Sequence, residues 1–151
     1  MKIKIIAIGT LKEKYLKEMV NEYVKRLSKY TKVEFIEIKE ENDTHPNAKE
    51  IEGKKILDNI KPRDYVIALA LKETEYTSEE LASWLNKVML KTSELVFIIG
   101  GSLGLCNCVI KRANECLTLS KLTFTHQMSR IILLEQIYRG FKINHHEKYH
   151  K

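Results

Sequence analysis

The sequence predicts an α/β protein built on a mostly parallel sheet with helices on both faces. Three observations predict it. Apolar runs of strand length alternate with segments whose apolar residues recur at helical spacing. The strand runs are close to continuously apolar, as in strands buried on both sides. Finally, 151 residues suffice for one such domain, residues 1–151, which buries about 68–70% of the surface of its unfolded chain and needs no staples.

Lys2–Gly9 starts with lysines, becomes fully apolar and stops at Gly9-Thr10, which reads as a strand and its turn. Over Leu11–Tyr30, Leu16, Met19, Val20, Tyr23, Val24 and Leu27 form one stripe, so a helix packs that face inward. Val33–Ile38 alternates like a half-exposed strand. Lys39–Ala48 is a polar loop containing Pro46, and Lys49–Ile60 is a helix ended by Lys61-Pro62. Tyr65–Leu71 is a buried strand. Thr77–Lys91 is a helix opened by a capping box from Thr77 or Ser78 with Glu80, and Leu95–Gly101 is the next strand. Beyond it, Asn107–Asn114 reads as a helix, Cys116–Ser120 as a short strand and His126–His145 as a long helix. Ile131, Ile132, Leu133, Leu134, Ile137, Tyr138 and Phe141 wrap most of the way round that last helix. A subunit interface is the simplest way to bury its second side.

The net charge of +6 is unevenly placed: residues 1–110 carry 18 basic against 17 acidic side chains, residues 111–151 carry 8 against 3. Four of the five histidines, His126, His145, His146 and His150, lie in that basic end. A local positive field suits a polyanion such as nucleic acid, although basic surfaces also serve solubility alone. The three cysteines, Cys106, Cys108 and Cys116, are odd in number and follow no secretory signal, which points to a reducing cytoplasm. No apolar run approaches the roughly 20 residues of a membrane helix. Cys-x-Cys and the histidine tail lack the ligand spacing of a zinc scaffold, so no metal is expected.

Two segments carry the chemistry. Leu95-Val-Phe-Ile-Ile-Gly-Gly-Ser-Leu-Gly-Leu105 ends a buried strand in glycines, where a flat ligand can approach bare backbone. It is neither a dinucleotide fingerprint nor a P-loop, and alone it is also what a structural turn requires. Ser120–Arg130 then places Ser120, Thr123, Thr125, Ser129, His126, Gln127 and Arg130 between a strand and a helix. Thr125 suits a helix cap. His126 and Arg130, at i and i+4, share a face and together offer a titratable base and a phosphate-binding fork. Glu135 and Arg139 have the same spacing, which favours an ion pair. In the tail, Tyr149 can stack on a base while Lys148 and Lys151 contact phosphate, unless the terminus simply frays.

Ile99–Leu105, Leu119–Arg130, Glu135-Gln-Ile-Tyr-Arg139 and Tyr149-His-Lys151, with Ile5–Lys14 near the start, resemble the RlmH family of SPOUT methyltransferases along the whole chain. The resemblance implies a C-terminal trefoil knot and S-adenosylmethionine bent in the knot's loops. It also implies a homodimer that methylates N3 of a pseudouridine in the large-subunit (23S) ribosomal RNA of assembled ribosomes. Carried over by motif, Leu69, Gly100, Leu119, Ser120, Lys121, Leu122, Thr123 and Phe124 hold the cofactor. His126, Arg130, Arg139, Tyr149 and His150 face the RNA or complete the pocket, with the tail serving the partner subunit's site. Pseudouridine N3–H becomes a good nucleophile only when deprotonated. His126 and His150 are therefore the candidate bases, and Arg130 or Arg139 the candidates for stabilising the anion. The competing expectation is a non-catalytic ribosome-binding module that retains the cofactor pocket. A nucleotide-dependent oxidoreductase is disfavoured by the missing fingerprint.

Overall fold

The computed structural model covers Met1–Lys151. In chain order the elements are β1 (Lys2–Ile8), α1 (Lys14–Leu27), β2 (Lys32–Ile38), α2 (Ala48–Leu57), β3 (Tyr65–Thr74) and α3 (Ser78–Met89). They continue with β4 (Glu94–Ile99), α4 (Asn107–Arg112), β5 (Glu115–Leu117) and α5 (His126–Asn144). The strands form one sheet in the order β2-β1-β4-β3-β5, and every pairing is parallel. No helix is long and apolar enough to cross a membrane.

Strand side chains alternate between two cores, because successive residues point to opposite faces. Ile3, Ile5, Ala7, Ile67, Leu95, Phe97 and Ile99 pack under α1, α3 and α5. Ile6, Ile8, Val66, Val96 and Ile98 pack under α2 and α4. This two-sided burial accounts for the unbroken apolar runs.

Side-chain hydrogen bonds set several boundaries. Helix α1 starts at Lys14 rather than Leu11, since the Leu11 amide donates to Glu37 (3.0 Å) at the end of β2. Helix α3 has the expected capping box between Thr77 and Glu80. Thr125 caps α5 by accepting from the Met128 amide.

Two expectations are corrected here. Most of the apolar circumference of α5 is covered within the chain, between α1, α3 and the sheet. Ile131, Leu133, Leu134, Ile137, Tyr138 and Phe141 are buried there, so the pattern does not by itself require a second subunit. Second, Cys106 and Cys108 are joined in a disulfide, leaving Cys116 free. A bridge across one intervening residue closes so short a loop that it constrains the unfolded chain little. Its role is local, tying the turn after β4 to the start of α4.

Candidate functional site

The sheet opens at the carboxyl ends of β3, β4 and β5. Strand β3 continues to Thr74, but its register against β5 breaks between Leu69 and Thr74, and Lys72 adopts a left-handed conformation (φ 59°). Buried Thr118 spans the break. Its hydroxyl donates to the Ala70 carbonyl (2.6 Å) and accepts from the Glu73 amide (2.8 Å), while its own amide donates to the Thr74 carbonyl (2.8 Å). The bulge over residues 70–73 that Thr118 fixes forms one side of a cavity of about 770 Å³ between the end of β3, the turn after β4 and the segment after β5. Sequence reasoning passed over Thr118, because a lone threonine after a short strand carries no signal until its partners are known.

Beneath the cavity, Glu115 accepts from the Tyr65 hydroxyl (2.7 Å) and the Trp84 indole (2.9 Å). Burial first, and then this carboxylate, push the Tyr65 phenol up to about 12. The group thus remains a neutral donor, which fixes the base of β3 and β5.

The turn after β4 forms one wall. Gly104 has φ +77°, and Gly101 and Gly104 pair across the turn. A Cβ on Gly100 would meet the Gly104 carbonyl carbon at 3.0 Å and Leu105 Cγ at 3.1 Å, so a side chain there presses the turn open. Gly100 is thus required because the turn folds back onto it.

Most of the expected cofactor residues converge on the cavity. Leu69, Gly100, Leu119, Ser120, Leu122, Thr123 and Phe124 line it, and His126 stands at its edge. Lys121, also expected there, is exposed and lies outside the lining. The lining contains one carboxylate, Glu73, and no lysine or arginine. Leu71, Leu103 and Leu122 are exposed at the mouth, an apolar rim on which a planar group can lie. His126 also borders an acidic concavity, where the Ser102 hydroxyl lies within hydrogen-bond distance of both Glu40 (3.0 Å) and Asp43 (3.1 Å).

Arg130 occupies a different place from the one expected. It does share a face with His126, since both reach Gly9, but its guanidinium is fully buried. It donates to the carbonyls of Ile8 (3.2 Å) and Gly9 (2.7 Å) and pairs with Glu37 (2.6 Å). With these partners it is committed to joining the ends of β1 and β2, so it presents no fork to a phosphate.

The tail residues form a second cluster outside the cavity lining. Arg139 donates to Glu135 through Nε and Nη2 (3.1 and 2.7 Å), the ion pair expected from their spacing. Tyr149 donates to the same carboxylate (3.0 Å), packs edge-on against Tyr138 and lies under the Arg139 guanidinium (4.7 Å). His150 lies between Arg139 and Glu79. Just upstream, Glu147 accepts from Lys29, Tyr30 and Lys142, and its carboxyl is held down at about 2 by those bonds. The tail is therefore docked on its own chain, and Tyr149 is already stacked.

Pairing also reduces the basic surplus. Arg112, Arg130, Arg139 and Lys142 are engaged with carbonyls or carboxylates, leaving Lys111, Lys121, Lys148 and Lys151 free.

A family model described as a predicted SPOUT methyltransferase matches residues 1–150. The chain is 49% identical to ribosomal RNA large subunit methyltransferase H of Caldicellulosiruptor saccharolyticus, over 99% of this chain and 99% of that relative. It is 50% identical to the protein of the same name from Bacillus cereus, over 100% of both chains. Among solved structures, a probable methyltransferase from Bordetella pertussis Tohama I shares the fold with a TM-score of 0.57 at 11% identity, covering 91% of this chain and 93% of that one. Near-half identity from end to end, on a parallel sheet whose glycine turn and Leu119–Phe124 segment meet at one cavity, places this chain among the SPOUT methyltransferases, in the ribosomal RNA large subunit methyltransferase H (RlmH) family.

Proposed function

We propose that the protein methylates N3 of a pseudouridine in large-subunit ribosomal RNA, on assembled ribosomes in the cytoplasm, with S-adenosylmethionine as the donor. One domain spanning residues 1–151 carries the activity, and the family's trefoil knot belongs to the same proposal, its loops being the segments that meet at the cavity. The observation that supports it most is the composition of that cavity. Apolar walls from Leu69, Leu119 and Phe124, with backbone edges around Gly100, suit a nucleoside, and the lack of any lysine or arginine suits a sulfonium cation. A dinucleotide's pyrophosphate finds no positive partner in the same lining.

When bound, this cofactor would supply an electrophilic methyl group for N3, which must give up its proton. The protein's part is chiefly to hold the two reactants in line. Ser120 and Thr123 can orient the donor from the cavity wall, while Leu71, Leu103 and Leu122 offer a surface for the base. His126, at the cavity edge beside Glu40, is the candidate for receiving the proton, with solvent as the alternative. Lys148 and Lys151, exposed and without protein partners, can contact RNA phosphates, with Tyr149 of the docked tail and Arg139 of α5, held by Glu135, completing that surface.

The test is transfer of labelled methyl to ribosomes lacking the modification, compared with free ribosomal RNA and with Gly100→Val. Label on ribosomes alone is the expected result. Gly100→Val should weaken cofactor affinity at least about tenfold while the chain remains folded, because the turn must open. Calorimetric binding of the cofactor without turnover on any substrate would instead select the ribosome-binding module.

We also propose that the working unit is a homodimer. The cavity and the His150 cluster are separate in one chain, so a site using both draws the tail from a second copy. Tyr15 and Met19, exposed at i and i+4 on α1, offer an apolar contact. Met19→Lys is expected to shift the sedimentation equilibrium toward monomer by at least about tenfold in dissociation constant. Turnover should fall with it while the cofactor still binds. An unchanged dimer would move the interface off α1.

A further inference from the structure

His150 is gripped on both ring nitrogens, and the donors and acceptors determine how. Arg139 Nη1 lies 3.1 Å from Nδ1, and a guanidinium can only donate, so Nδ1 is the bare acceptor. The proton of the neutral ring is therefore on Nε2, which donates to Glu79 Oε1 at 2.7 Å. Glu79 is in the first turn of α3, 71 residues before His150, and belongs to none of the segments that carry the family resemblance. Its carboxyl is held below the usual range, chiefly by the bond to His150. Arg139 is oriented in turn by Glu135, which also receives the Tyr149 hydroxyl, so ring, guanidinium and phenol share one hydrogen-bonded frame.

We propose that Glu79 is a positioning residue for methyl transfer: it selects the Nε2–H tautomer of His150 and holds the C-terminal tail in register against α3 and α5. This rests on the proposed methyltransferase role of His150. In the held arrangement neither ring nitrogen is free to take the substrate's proton. His150 therefore acts by placement, presenting a fixed neutral ring beside the RNA, and the proton goes elsewhere.

The experiment pairs two readouts on the full chain. Single-turnover methylation of ribosomes is measured for Glu79→Ala, Glu79→Gln, His150→Ala and the Glu79→Ala/His150→Ala double variant. In parallel, nitrogen-15 spectra of the histidines at about pH 8, where free imidazoles are neutral, report the His150 tautomer, with His150→Ala supplying the assignment. Glutamine removes the charge at the helix N-terminus yet keeps an acceptor, so it separates the bond from the effect on α3.

Glu79→Ala should lower the transfer rate about tenfold at unchanged cofactor affinity, Glu79→Gln should stay within about threefold of the parent, and Glu79→Ala should add nothing on top of His150→Ala. The Nε2–H signature should be present in the parent and in Glu79→Gln and lost in Glu79→Ala. A Glu79→Ala loss that persists undiminished without His150, or a tautomer unaffected by Glu79→Ala, overturns the proposal. Full turnover by His150→Ala overturns it as well, since Glu79 would then have no ring to position for the reaction; absence of methyl transfer in the parent would instead be the failure of the proposed function.

Discussion

Gly53→Ala is expected to destabilise the protein by about 2–4 kcal/mol, although alanine in place of glycine within an ordinary helix stabilises by about 1 kcal/mol. Gly53 lies in α2 where that helix meets the Cys106–Cys108 disulfide. A Cβ there would overlap Cys106 Sγ and lie 2.7 Å from Cys108 Sγ. Neither sulfur can rotate away while they are bonded to each other, so α2 or the turn after β4 must move. Urea unfolding should show a lower midpoint with unchanged slope. In a Cys106→Ala/Cys108→Ala background the same substitution should be close to neutral, since both sulfurs are gone and the one tight neighbour left, the Cβ of residue 106 at 3.3 Å, is offset by the helix propensity of alanine. An equal penalty in that background would show that the sulfurs are not the obstacle. Because the turn after β4 is a wall of the cavity, the displacement should also weaken cofactor binding at temperatures where the variant is folded.

Arg130→Ala is expected to cost about 3 kcal/mol, which corresponds to a fall of about 6–12 °C in Tm for a chain of this size. Removing the guanidinium strands the buried carbonyls of Ile8 and Gly9 and takes the partner from Glu37. Glu37 is 37% exposed and keeps some hydration, which places the loss at the lower end for a broken buried pair. Arg130→Lys should recover little, because one ammonium cannot serve three acceptors in the fork's geometry. Calorimetry of the two variants checks this. A Tm within 2 °C of the parent together with lost turnover on ribosomes would restore the RNA-facing role that the motif alone implies. The expected result is that stability falls and cofactor affinity below the transition persists, since Arg130 is absent from the cavity lining.

These two residues illustrate how differently fold and site were legible. The strands were readable because two-sided burial leaves an unbroken apolar run, as in Leu95–Ile99, and the caps because Thr77 and Glu80 are three residues apart. Most of the cavity was legible for a similar reason: two of its three walls, the turn after β4 and the segment after β5, are contiguous segments that each carry a motif, whereas the end of β3 carries none. The partners of Arg130 were not legible, because its spacing from His126 reveals the shared face and not what lies opposite it. Thr118, Gly53 and Glu79 were invisible for a related reason. Their partners are Ala70 and Glu73, Cys106 and Cys108, and His150, each 45 or more residues away along the chain.

The parallel α/β class, the order of elements, the glycine turn and the segment opposite it can all be read from the chain alone, because period and composition are local properties that survive without knowledge of the fold. The bulge of β3 beside the cavity, the link that Arg130 makes between β1 and β2, the cover of α1 and α3 over α5 and the docking of the tail through Glu79 and Glu135 emerge only in the folded chain. Each of these depends on which distant donor meets which acceptor. That pairing is set by packing, where an unpartnered buried polar group costs about 1–3 kcal/mol, and spacing along the chain carries no trace of it.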